Sequence, residues 1–95
     1  MTFHEIKVLD IVQNTISGVE GARLKDEVVS KLRINQGVMI SFRGHGPLST
    51  EFIRRSLGDL LLRFGHKLFL THIRITGTHL GIEDLLCLGE QEVAA

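Results

Sequence analysis

The stretch Gly37-Val38-Met39-Ile40-Ser41-Phe42-Arg43-Gly44-His45-Gly46-Pro47-Leu48-Ser49-Thr50-Glu51-Phe52-Ile53 decides the fold. Val38 to Phe42 carries no charge and is nearly all apolar, which is the composition of a central strand covered on both faces. Arg43 to Leu48 interrupts that run with two glycines and the one proline of the chain, and so marks a loop. Ser49 is a good N-cap, and Glu51 stands in the first turn, where the helix dipole favours a negative charge. Phe52, Ile53, Ser56, Leu57, Leu60, Leu61 and Phe64 then recur at helical spacing, the strongest periodicity in the sequence.

Downstream, Gly65 closes this helix as a residue suited to a positive φ. Phe69, Thr71, Ile73 and Ile75 alternate with Leu70, His72, Arg74 and Thr76, which predicts a third strand. Gly77 to Gly81 turns into a last helix with Ile82, Leu85, Leu86 and Leu88 as its apolar positions, and Cys87 is expected among them as a small core residue. From Gly89 the tail is acidic.

Upstream, a helix running to about Ile34 buries Ala22, Leu24, Val28, Val29 and Leu32 and solvates Arg23, Lys25, Asp26, Glu27, Lys31 and Arg33. Ser17 and Glu20 resemble a capping box at its start, at the cost of two glycines in the first turns. Asn35-Gln36-Gly37 ends it, with Gly37 suited to a left-handed position. Phe3 to Val12 mixes β-branched and charged residues. Ile6 and Val8 share one face and Leu9 and Ile11 the other, so we expect a strand covered on both sides or bulged. The order βαβαβα with short connections implies one α/β domain over residues 1–95, built on a small, mostly parallel sheet of three to four strands. Such a sheet has two open edges, which points to pairing with a partner.

Composition narrows the function classes. The 95 residues have room for one small domain. Eleven basic residues balance eleven acidic ones for a net charge of +0, which argues against a general polyanion binder. The distribution is uneven. Arg43 to Arg74 carries six bases against two acids, a net +4, whereas Ile75 to Ala95 carries four acids and no base. With 5% aromatic residues and neither Trp nor Tyr, stacking platforms for single-stranded nucleic acid are not expected. One cysteine excludes an internal disulfide and a cysteine zinc cluster. Five histidines are scattered with no His-x-x-x-His pair on one helix, so no metal site is expected, and no cofactor motif is present; Arg43 to Glu51 lacks the Gly-Lys-Ser/Thr ending of a phosphate loop. No apolar run approaches the roughly 20 residues of a membrane span. The start Met-Thr-Phe-His-Glu does not look like a signal peptide, so a soluble cytoplasmic protein is expected.

The stretch from Gly37 to Ile53 resembles the centre of STAS-like domains, relatives of sulfate-transporter and anti-sigma-factor-antagonist domains. In that family a buried strand is followed by a Gly-containing turn, a Ser-rich helix start and a conspicuous Phe. Ile40-Ser41-Phe42, Gly44, Ser49-Thr50 and Phe52 supply these parts here. The helix from Gly21 to Val28 and the strand Ile73-Arg74-Ile75-Thr76-Gly77 fit as well, and the similarity covers about Ser17 to Leu86. The resemblance implies a non-enzymatic regulatory protein that works by partner exchange, with a kinase or ATPase-type regulator as partner. In the antagonists a serine at this helix start is phosphorylated, and the added charge of about −2 releases the partner. Aligned on Gly44, that serine falls on Glu51, with Thr50 before it and Ser49 where an Asp is usual. Either the switch has moved to Ser49 or Thr50, or phosphorylation plays no part and Glu51 supplies a permanent negative charge; we favour the second.

These features lead us to expect a non-catalytic protein-binding module that contacts its partner through Arg43, His45, Ser49, Thr50, Glu51, Arg54 and Arg55, with Ser49 and Thr50 as the phosphorylation candidates. Pairing of the basic segment with the acidic tail of a second copy would give a homo-oligomer. The alternative is a small nucleic-acid or phospholigand module using the basic segment 43–74, which would show steep salt dependence.

Overall fold

In the computed structural model, which describes residues 2–34, 37–81, 84, 85 and 87, three strands form one sheet. β1 (Phe3–Lys7) and β3 (Ile73–Thr76) flank β2 (Gly37–Ser41), and both pairings are parallel. Ile6 lies beside Ile40, and Ile40 beside Ile75, so one face of the sheet is lined by branched aliphatic residues. The uncharged run from Val38 to Phe42 is thus the central strand, but it is not covered by helices on both faces as expected: Met39, on the face it shares with exposed Glu5 and Arg74, is only partly buried.

The helices pack on that apolar face. α1 (Val8–Ile11) is a single turn, α2 (Gly18–Ile34) runs back along the sheet, and α3 (Thr50–Ile53) continues through a π-helical segment (Arg54–Gly58) into α4 (Asp59–His72). Phe52, Ile53, Leu57 and Leu60 are fully buried, together with Leu24, Val28, Val38, Ile40, Phe42, Phe69 and Leu85. The helical period read from Phe52 to Phe64 therefore identifies the face that fills the core.

Four other expectations need correction. The first strand ends at Lys7, not Val12, because the chain coils into α1. Val8 and Val12, four apart, both turn inward, and the Val12 amide bonds the Val8 carbonyl at 3.0 Å. The third strand begins at Ile73, not Phe69. Gly65 does interrupt the helix (φ 81°), but the chain resumes a helical course that buries Phe69 and leaves Leu68 and Leu70 about half exposed. There Thr71 and His72 bond back to the carbonyls of Lys67 and Leu68, four residues earlier.

Gly37 lies in β2, and its φ is not positive. Its lack of a side chain instead admits the Phe3 ring, which stands 2.7 Å from where a β-carbon would be. Arg74 reaches over that ring at 4.4 Å from the centroid, so the open face carries a contact that spans all three strands. Lastly, Cys87 is exposed while Leu85 is buried: two helical residues apart is more than half a turn, which places the thiol outside. The last helix's other apolar positions, Ile82, Leu86 and Leu88, and the acidic tail fall outside the described side chains.

Candidate functional site

Parallel strands put all their carboxyl ends on one edge, and three connections meet there. The loop from Phe42 to Leu48 follows β2, the turn from Gln13 to Ser17 follows α1, and the turn from Gly77 to Gly81 follows β3. The β2 loop is fixed to both of the others.

On the β3 side, the Phe42 amide donates to the Thr76 carbonyl at 2.9 Å, extending the ladder by one bond. The Phe42 ring is buried and meets the His45 imidazole edge-on, with ring centres 6.2 Å apart. His45 Nδ1 lies 2.6 Å from the Gly46 carbonyl oxygen, so it carries the proton donated there, and Nε2 lies 3.2 Å from Thr78 Oγ1. Gly77, at φ 77°, lets the two loops touch: a β-carbon there would stand 2.4 Å from the Arg43 nitrogen. Arg43 itself is exposed. It borders a polar depression of about 300 Å³ with Glu5, Lys7, Leu9, Asp10 and Ser41.

On the other side, buried Thr15 donates its hydroxyl to the Pro47 carbonyl at 2.5 Å, and its own carbonyl accepts from the Ser49 amide at 3.1 Å. Ser49 caps α3: its Oγ accepts from the Phe52 amide at 3.0 Å and donates to the Ile16 carbonyl. Both hydrogen-bonding functions of this hydroxyl are therefore in use. Thr50, the next residue, is half-buried and makes no side-chain hydrogen bond among the described residues.

Glu51 pairs with Arg54 and comes within 3.9 Å of Arg55, so its negative charge is met within its own helix. This cluster rests on the start of α2. A β-carbon on Gly18 would lie 2.7 Å from Glu51 Oε1, and one on Gly21 would lie 2.5 Å from the Phe52 carbonyl oxygen. The capping-box expectation holds by half. Ser17 Oγ accepts from the Glu20 amide at 3.2 Å, but Glu20 turns away and accepts from the Gln13 amide at 2.5 Å while pairing with Arg23 at 3.5 Å.

The seven residues singled out from the sequence thus divide. Ser49, Glu51, Arg54 and Arg55 gather at the junction of α2 and α3, Thr50 lies beside them, and Arg43 and His45 face the β3 turn. Sequence reasoning missed Thr15, Gly77 and Thr78, which hold the loop in place, and Gly21, which lets α2 approach the helix start. A signal for one of them was present: Gly18 and Gly21 are three apart and fall on one helix face, the spacing of a close helix contact.

Compared with known families, residues 20–82 match the model described as "STAS-like domain of unknown function (DUF4325)". The chain belongs to this STAS-like family. The match takes in α2 from Glu20 onward, the central strand, the whole β2 loop and the helix after it, so the loop and helix start of this STAS-like chain lie inside the family's own segment, while the Gln13-to-Ser17 turn and Gly18 precede it. No curated protein and no solved structure matches the chain. No helix among the described residues is long and apolar enough to cross a membrane.

Proposed function

We propose that this STAS-like chain is a cytoplasmic, non-catalytic interaction module that binds a regulatory protein of the kinase or ATPase type through the loop Arg43 to Leu48 and the helix start Ser49 to Arg55. One observation carries the proposal. The loop's backbone is fastened to the Thr15 turn and to Thr76, yet Arg43, Gly44, Gly46 and Pro47 stay exposed. A partner meeting a surface held this way has little loop entropy to remove, and preorganisation of this kind favours binding. The two open edges of the sheet favour self-association of the same module.

The arrangement also ranks the hydroxyls. Ser49 is occupied by its cap and by Ile16, whereas Thr50 has a hydroxyl without a partner among the described residues. If a switch operates, it is on Thr50. Our preferred form has none, with partner binding constitutive.

The test is affinity purification from the native host with the full chain and with an Arg43→Glu, Arg55→Glu variant, read by quantitative mass spectrometry that also reports phosphate on Ser49 and Thr50. We expect a regulatory protein retained by the native chain and depleted with the variant, and no phosphate on Ser49. Equal recovery by both chains overturns the surface assignment. Retardation of DNA or RNA at low salt, lost as salt rises, replaces the protein partner with a nucleic acid.

A further inference from the structure

At the opposite edge of the sheet, beside the amino end of β3, an open groove of about 200 Å³ lies between the end of α2 and the far half of α4. Leu32, Phe64, Leu68, His72 and Ile73 line it, and nearly all of its surface is carbon. Leu68 is 51% exposed at its rim, and Leu70 beside it is 52% exposed.

Among the described residues, the charged side chains next in sequence to those that line the groove on the two helices are all basic. Arg33 follows Leu32, Arg63 stands over the Phe64 ring at 5.9 Å from its centroid, and His66 and Lys67 precede Leu68. Arg33, Arg63, His66 and Lys67 are all exposed. There is no Asp or Glu between Val28 and Ile34, or between Leu60 and Gly81.

We infer that this groove is a second docking site and that it takes an acidic amphipathic peptide segment, with apolar anchors entering between Leu32 and Leu68 and carboxylates meeting Arg33, Arg63 and Lys67. The concavity favours a side chain over a flat lipid surface. The carbon lining favours apolar anchors over a phosphate backbone. The basic rim selects the sign of the flanking charges, since complementary potentials across an interface set specificity and approach rate. The groove shares no residue with the loop at the carboxyl edge, so the two surfaces can be tested independently.

The experiment uses the full chain and fluorescently labelled helical peptides of Leu and Glu. Controls are the same peptide with Lys for Glu, or with Ser for Leu. Fluorescence anisotropy is expected to show saturable binding of the Leu–Glu peptide alone. Leu68→Asp should weaken it by about tenfold or more, as loss of a central apolar anchor does. Lys67→Glu should weaken it less and reduce its salt dependence, and Arg55→Glu should leave it unchanged. Circular dichroism checks that both groove variants fold, which is expected because Leu68 and Lys67 are surface residues. Absence of binding, or equal binding of the Glu and Lys peptides, overturns the inference. So does Leu68-dependent capture by phosphatidylglycerol vesicles, which makes the occupant a lipid surface. Self-association of the chain abolished by Leu68→Asp makes it a second copy and overturns it likewise.

Discussion

At Gly21 a single methyl group decides whether two helices can meet. The β-carbon of an alanine there would stand 2.5 Å from the Phe52 carbonyl oxygen and 3.2 Å from Arg55 Cβ, with backbone on the nearer side and so little room to yield. Gly21→Ala gains helix propensity but must push α2 away from α3; overpacking of this kind costs about 1–3 kcal/mol and outweighs the roughly 1 kcal/mol of propensity. Urea denaturation should show a lower midpoint with an unchanged slope, and a midpoint at or above the native one would mean that the helices can separate without cost. The same contact explains what was hard to read from the sequence. Glycines early in a helix look like a propensity loss, and only the neighbour packed against them turns the loss into a requirement. Ser49, by contrast, was legible because an N-cap is a local device: the hydroxyl, the amide it accepts from and the residues that signal it all lie within one turn.

Between Gly65 and Ile73 two periodicities compete. Alternation of β-branched and polar residues predicts a strand from Phe69, whereas burial of Phe69 with both Leu70 and Thr71 exposed, and burial returning four residues on at Ile73, belongs to a helical turn. The helix prevails over residues 66–72, with Thr71 and His72 bonding back to the preceding turn. Single alanine substitutions separate these alternatives. Phe69→Ala should cost about 3–5 kcal/mol as a large-to-small change in the core, and Leu70→Ala and Thr71→Ala should each stay within about 0.5 kcal/mol, as exposed positions do. A Thr71→Ala loss comparable to that of Phe69→Ala would restore the strand, since in a strand those two residues share a face. The Phe52-to-Phe64 stretch allowed no confusion with a strand: its seven periodic positions extend over more than three turns, although the repeat did not disclose the π-helical segment from Arg54 to Gly58 within it. Short segments lack that length, which is also why the residues of α1 resemble the end of a strand in the sequence.

Across the whole molecule, the buried strand and the surfaces proposed for binding occupy different layers. β2 is hydrogen-bonded on both sides and almost entirely buried, while the two edges of the sheet carry the loop at the carboxyl end and the basic-rimmed groove at the amino end. Native-state hydrogen exchange should therefore find the slowest amides within Val38 to Phe42, opening only with global unfolding, and faster exchange at Gly44 to Leu48. Slowest exchange in α2 instead would move the stability core from the sheet to the helices. The α/β class and the parallel order were legible because they follow from the succession of elements, whereas the loop's fastening was not, because it depends on residues more than thirty positions apart. Thr15 holds Pro47, and Thr78 holds His45. These two links close long stretches of chain, and contacts of that span form only after both stretches have been placed. The shape of the Arg43-to-Leu48 loop is consequently a late product of folding, complete only once β3 has docked. A protein that recognised this shape would thereby be blind to nascent or partly unfolded copies: the proposed docking surface would certify the integrity of the domain that presents it.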